Sequence, residues 1–387
     1  MRFLHTSDWH LGKKLDERPR LEEQKTVLKS LVSIVKDNGV EIVIVSGDVF
    51  DTFTPSAEAE QVFFDTLHEL TNAGAAVVVI SGNHDDPTRL SASKKLSVLN
   101  GVFFSGGDDV KSVSLGNIRL LKGGKDHLVF ENRVGEKAYV ALLPYPTEMR
   151  MKEAVNEDES YSDKVTRYIR EALSHNDENL PTVLVGHLFM LGGEVSLGER
   201  PIDLGGVRVV PVSAIPDEVS YTALGHLHKR QVVGNSKNII YSGSILQYSF
   251  DESGYDKSVT IFDLTDGGVK DLVVKELEGY LKLVRINATS FAEAVSQLEA
   301  LPDTYVELNF ELNMPLTADE TKYIVSNYPK AVIRTTIARG EKQTRSKKLM
   351  SDEELFVNFC REYTGAEPDE KVLSLYVKLI NEIEVGE

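Results

Sequence analysis

The 387-residue chain holds a single cysteine, Cys360. That excludes an internal disulfide framework and any thiolate zinc site. No apolar run approaches the roughly 18–20 residues that cross a bilayer, so no membrane partner is expected. The opening Met1-Arg2-Phe3-Leu4-His5-Thr6-Ser7-Asp8 lacks the apolar core of a signal peptide, and a cytoplasmic protein is expected. Nothing resembles a P-loop, so ATP dependence would have to come from a partner. Internal repeats and low-complexity tracts are absent. Positive charge is scarce: 43 Lys and Arg stand against 60 Asp and Glu, a formal −17. Alone, that argues against nucleic acid, because polyanion binding usually leaves a basic footprint. What is present is ordinary for a globular chain, with 41% hydrophobic and 27% charged residues and length for two to three domains.

The first half alternates β-rich runs with helical patterns, the mark of a layered α/β domain. Strands are expected at 2–6, 41–46, 76–81, 181–185, 219–224, 238–242 and 258–264. Helices are expected at 21–36, 56–72 and 163–174. Shorter runs with Gly-rich turns between Val102 and Leu143 suggest antiparallel hairpins. Near Leu277 the pattern changes to β-α-β-α-β, a small second domain reaching about residue 340. A basic stretch follows, with Arg334, Arg339, Lys342, Arg345, Lys347 and Lys348, and its latter part, 341–350, reads as a linker. Two amphipathic helices close the chain over 351–387, the first opened by a capping box at Ser351-Asp352-Glu353-Glu354.

Five clusters of metal-type ligands each follow an apolar strand. They are Asp8-Trp9-His10, Gly47-Asp48-Val49-Phe50-Asp51, Gly82-Asn83-His84-Asp85, Gly186-His187 and Gly225-His226-Leu227-His228. Alone, the first three read as turns or caps, Gly186-His187 says almost nothing, and His226 and His228 point the same way from an extended segment. Together they read as one site, because strand carboxyl ends in α/β sheets converge on one crevice. Five of the nine histidines fall inside these clusters, while His5, His68, His127 and His175 have no such context. Carboxylates, an amide oxygen and imidazoles without thiolate suit hard or borderline divalent ions. Mn²⁺ fits best, with Mg²⁺, Fe²⁺ and Zn²⁺ as alternatives. Two ions roughly 3.5–4 Å apart could share a carboxylate, clamp a phosphate and activate a water.

The ordered set Asp-x-His, Gly-Asp, Gly-Asn-His-Asp, Gly-His and Gly-His-x-His resembles the calcineurin-like metallophosphoesterase superfamily. Within it, His5-Thr6-Ser7-Asp8-Trp9-His10-Leu11-Gly12 and Gly47-Asp48-Val49-Phe50-Asp51-Thr52 are similar to the bacterial SbcCD nuclease-subunit branch. The resemblance covers the whole chain. It implies a two-sheet, sandwich-like α/β core flanked by helices (1–276), an α/β capping domain (277–340), the basic linker (341–350) and a helical docking segment (351–387). It implies one metal on Asp8, His10, Asp48 and His228, and another on Asp48, Asn83, His187 and His226, with Asp48 bridging. His84 would be the catalytic histidine, assisting the leaving 3′-oxygen. Archaeal and eukaryotic relatives carry a histidine where this chain has Asp51, which makes Asp51 a partner to a ligand histidine rather than a direct catalyst.

The same resemblance implies a Mn²⁺-dependent nuclease with 3′–5′ exonuclease and single-strand or hairpin endonuclease activity on DNA ends. It implies an SbcC-like ABC-type ATPase partner held through 351–387 and a homodimer formed by helices within 56–100. The alternatives are a stand-alone phosphodiesterase or phosphatase on small phosphoesters, and a non-catalytic DNA-end scaffold. Bound cations would offset part of the acidic excess, so the charge balance does not exclude DNA.

Overall fold

Strand Ile42–Ser46 is an unbroken β-branched run, and its surroundings explain the missing alternation. Ile42 and Ile44 face one core while Val43 and Val45 face another, because both faces of the sheet are covered. Strand Ala76–Ile80 divides its side chains in the same way. These relations come from a computed structural model, which describes residues 1–106, 110, 112–147, 159–194, 208–234, 238–312, 316–337 and 373.

Two sheets pack face to face. The first runs in the order Gly268–Glu276, Ser258–Thr265, Arg2–Thr6, Ile42–Ser46, Ala76–Ile80 and Val102–Phe104, and the last four of these are parallel. The second runs Gln231–Val232, Ile239–Tyr241, Val219–Gly225, Thr182–His187, Lys137–Leu143, His127–Asn132, Ile118–Gly123 and Val113–Leu115. Between them lies a core of Phe3, Ile44, Val78 and Phe103 against Phe130, Val140, Val185 and Ala223. Helices Leu21–Asp37 and Ala57–Asn72 cover the outer face of the first sheet, burying Leu28, Leu31, Phe63 and Leu67. Helix Tyr161–Leu173 covers the second with Val165, Ile169 and Ala172. The expected helix-flanked sandwich is thus observed, with element ends within a few residues of the sequence reading. Several two-residue strands were not foreseen, Gln231–Val232 among them, and neither was the long outer hairpin arm Gly268–Glu276, whose Leu272, Val273 and Val274 are exposed.

The β-α-β-α-β pattern forms a three-stranded sheet, Leu283–Ala288, Tyr305–Leu312 and Ala331–Ile337, with helices Phe291–Glu299 and Ala318–Asn327. A capping box between Thr317 and Glu320 starts the second helix. This small sheet is seated by polar contacts. The Leu283 main-chain N–H donates to Gln247 at 2.6 Å, Arg285 pairs with Asp251 at 3.1 Å, and Arg20 lies over the Tyr305 ring. Residues 1–311 and 316–336 make one compact unit, and 312–315 with 337–387 a second. The expected linker and the C-terminal helical pair, apart from Leu373, lie outside the described residues. No described helix is long and apolar enough to cross a membrane.

Candidate metal centre

The five clusters meet at the carboxyl ends of strands Arg2–Thr6, Ile42–Ser46, Ala76–Ile80, Thr182–His187 and Val219–Gly225. The backbone is bent to bring them there. Asp8, His10, Asp48 and His226 all have positive φ, four of only seven non-glycine residues that do among the described residues. Such strain persists where surrounding contacts over-determine it, and it concentrates at working sites. Close approach requires glycine at Gly82, where a Cβ would overlap the Asp48 carboxylate, and at Gly225, where it would overlap the Ser46 carbonyl.

Asp48 is central. Its Oδ1 accepts the His84 main-chain N–H at 2.8 Å, while Oδ2 lies 3.6 Å from His10 Nε2 and 3.4 Å from His187 Nε2. On one side, His10 Nε2 faces His228 Nε2 at 3.1 Å, and Asp8 groups with both rings. On the other, Asn83 Oδ1 is 3.0 Å from both His187 Nε2 and His226 Nδ1. The structure therefore brings together Asp8, His10, Asp48, Asn83, His187, His226 and His228. His84 joins His10 and Asp48 in a group of the same kind.

The ring nitrogens can be assigned from their partners. His187 Nδ1 lies 2.8 Å from the Ser46 carbonyl, which can only accept, so Nδ1 carries the hydrogen. In the neutral ring Nε2 is then a lone pair facing the Asn83 oxygen, another acceptor. His228 Nδ1 lies 3.1 Å from Glu252 Oε1, which turns the His228 Nε2 lone pair toward His10. With His187 neutral, its Nε2 and Asn83 Oδ1 are acceptor against acceptor, at about the separation of neighbouring ligands on one ion. Burial pushes the His187 imidazole down, but Asp48 and Asp8 outweigh it and carry the ring up to about 9. Burial also pushes the Asp48 carboxyl up, and His187, His10 and His84 more than reverse it, to well below the carboxylate range. His10 is held well below its ordinary value by burial, against the pull of Asp48, and its buried Nδ1 has no hydrogen-bond partner. A cluster of buried carboxylates that recruits a proton onto a buried imidazole has a place for positive charge, which divalent cations would supply.

His84 Nδ1 donates to the main-chain carbonyl of Asp51 at 2.7 Å, which fixes its tautomer. The Asp51 carboxylate pairs with Lys13 at 2.7 Å and lies 3.6 Å from His10 Nδ1. Two residues that sequence reasoning did not reach, Glu252 and Lys257, complete the surroundings. Burial would raise the Glu252 carboxyl, but Lys257 at 2.5 Å and His228 outweigh it and hold it at about 2. Asp85 accepts the main-chain N–H groups of Gly82, Val49 and Phe50, lashing two ligand loops together. Asp85 was visible beside its motif; Glu252 and Lys257 carry no local signal. Of the four histidines outside the motifs, His5 is a core residue bonded to Tyr221 and the Leu224 carbonyl, and His68 lies on helix Ala57–Asn72 beside Asn72.

Residues 1–230 match the family model described as calcineurin-like phosphoesterase, and the chain belongs to that family of metal-dependent hydrolases. Over 402 aligned residues it is 34% identical to the SbcD subunit of the SbcCD nuclease of Bacillus subtilis (strain 168), covering 99% of both chains. Within the family it therefore belongs with the SbcD nuclease subunits. Among solved structures, a dimetal phosphatase from Danio rerio is 14% identical with a TM-score of 0.41, covering 72% of this chain and 96% of its own. The protein TT1561 of Thermus thermophilus is also 14% identical, with a TM-score of 0.39, covering 72% of this chain and 99% of its own. Likenesses this slight bear no weight.

Proposed function

We propose that this nuclease subunit is Mn²⁺-dependent, with 3′–5′ double-strand exonuclease and single-strand or hairpin endonuclease activity at DNA ends. The observation that carries the reading is Asp48 Oδ2, set between two donor groups of imidazole, carboxylate and amide. Asp8, His10, Asp48 and His228 would hold one ion, and Asp48, Asn83, His187 and His226 the other. When bound, the ions neutralise phosphate charge and activate a water for attack on phosphorus. The chain's own residues do the rest. His84, with its Nδ1 hydrogen on the Asp51 carbonyl, presents Nε2 which, when protonated, would stabilise the developing charge on the leaving 3′-oxygen or deliver a proton to it. Asp51 and Lys13 form the wall beside His10, and Glu252 orients His228.

The working partner is proposed to be an SbcC-like ATPase docked on 351–387. The B. subtilis relative is named as one subunit of a two-component nuclease. Homodimerisation through residues 56–100 is supported by apolar side chains left outside the core: Phe64 at 43% exposed, Leu96 at 70% and Leu99 at 68%. The domain division at about 277 and 340 is retained as part of this reading.

The deciding assay gives the purified chain Mn²⁺ and a labelled hairpin duplex, with and without the ATPase. Cleavage is expected in both, stimulated by the partner only while 351–387 is present. No cleavage in either, beside rapid turnover of a small diester, would establish the stand-alone phosphodiesterase instead.

A further inference from the structure

Two histidines that stand outside every motif meet in the fold. Asp126 lies in the turn between strands Ile118–Gly123 and His127–Asn132, and His175 follows helix Tyr161–Leu173. His127 Nδ1 lies 2.8 Å from Asp126 Oδ1, and His175 Nε2 lies 3.9 Å from Asp126 Oδ2. The two rings stack with centroids 4.7 Å apart, and the His127 ring also lies parallel to Tyr139 at 5.7 Å. One ligand atom from each of the three residues falls within 4.8 Å of the others.

Two further observations separate this cluster from a surface ion pair. The His127 side chain is only 8% exposed, so the ring beside Asp126 is held inside the fold rather than in solvent. The position of Asp126 is also fixed, because its main-chain carbonyl accepts the Leu142 N–H at 2.7 Å. The hydrogen bond from His127 holds the Asp126 carboxyl below the ordinary range, against burial, so it stands ionised.

We propose that Asp126, His127 and His175 form an additional metal site, separate from the catalytic pair, for a borderline ion such as Zn²⁺, Ni²⁺ or Cu²⁺. Two imidazoles and one carboxylate leave a fourth position for water, the donor set of a three-ligand tetrahedral centre. The same set ranks Mn²⁺ and Mg²⁺ last, the reverse of an oxygen-rich site. Ligand atoms on one tetrahedral zinc lie about 3.4 Å apart. His175 Nε2, 3.9 Å from Asp126, has to draw in, and at 44% exposed beyond the end of its helix it is the side chain able to swing. Bound there, an ion fastens the end of helix Tyr161–Leu173 to the turn before strand His127–Asn132. The site shares no residue with the catalytic centre, so the two can be lost independently.

The test loads the full chain with Zn²⁺, desalts it and measures metal content. The wild type is expected to hold about one equivalent more than His175→Ala or Asp126→Asn, with Mn²⁺-dependent cleavage by His175→Ala unchanged. His175 is exposed, so its removal spares the fold, and a circular dichroism melt of metal-free samples checks this. Equal zinc content in all three proteins overturns the site. Because the readout is a difference, it stands apart from how many ions the catalytic centre retains. Mn²⁺ loading that shows the same one-equivalent difference overturns the choice of ion.

Discussion

Asp48 makes two different demands on its neighbours through a single carboxylate. One oxygen ties down the His84 backbone while the other stands between His10 and His187. His84 is held twice, at its N–H by Asp48 and at its ring by the Asp51 carbonyl, so its side chain can be replaced without loosening the ligands. In His84→Gln, cleavage is expected to fall by about 10²–10⁴-fold, the usual worth of a positioned acid–base group. Metal content measured on the same sample should stay at the wild-type level. Glu252 acts at one remove. It is buried against Lys257 and His228, and Glu252→Ala leaves the Lys257 ammonium buried without its carboxylate. Removing one partner of a buried pair costs about 3–5 kcal/mol, and losing a ligand's orienting carboxylate costs about 10–100-fold in metal affinity. Denaturant melts and Mn²⁺ titration would read the two effects separately, and Glu252→Gln should recover part of the second.

At the scale of elements, helix Ala57–Asn72 shows how one amphipathic segment serves two surfaces. Phe63 is fully buried against Trp9, Phe50 and Phe104, while the adjacent Phe64 points outward. Its apolar surplus was readable in the sequence; which phenylalanine was surplus was not, because that depends on the sheet beneath. Helix Lys94–Leu99 buries none of its residues and shows Leu96 and Leu99 to solvent. On the proposed homodimer reading, Leu99→Glu shifts sedimentation toward the monomer and leaves metal content unchanged. A variant that sediments like the wild type would overturn the proposed homodimer surface. The strand ends were legible because each ligand motif is local and follows its own strand. Strand Gly268–Glu276 was not, since its exposed Leu272-Val273-Val274 run has neither alternation nor a covering layer. Glu252 was out of reach for another reason: it lies 24 residues from the histidine it orients, joined by folding alone.

Across the whole molecule, the acidic excess divides into parts with separate duties. Asp86 caps the short helix Pro87–Leu90, Asp85 fastens loops and Asp51 pairs with Lys13, so of the five carboxylates near the motifs only Asp8 and Asp48 stand in the proposed ligand sets. Others stitch the first sheet. Asp263 accepts two hydrogen bonds from Arg2 across strands Arg2–Thr6 and Ser258–Thr265, which hold its carboxyl below the ordinary range against burial. A carboxyl depressed on folding contributes stability above its unfolded value near 4, and that contribution is lost as the pH falls through its folded value. Asp263→Asn should therefore lower the melting temperature at neutral pH and flatten its fall below about pH 4. The pair is partly solvated, so the difference should be no more than about 1 kcal/mol.

The segment Gln247–Glu252 touches both ends of the molecule's working length. Gln247 and Asp251 seat the small sheet through Leu283 and Arg285, and Glu252, in the same short segment, holds a ring of the metal centre. Cation loading and the seating of that sheet thus draw on one piece of backbone, and linkage makes their influence mutual.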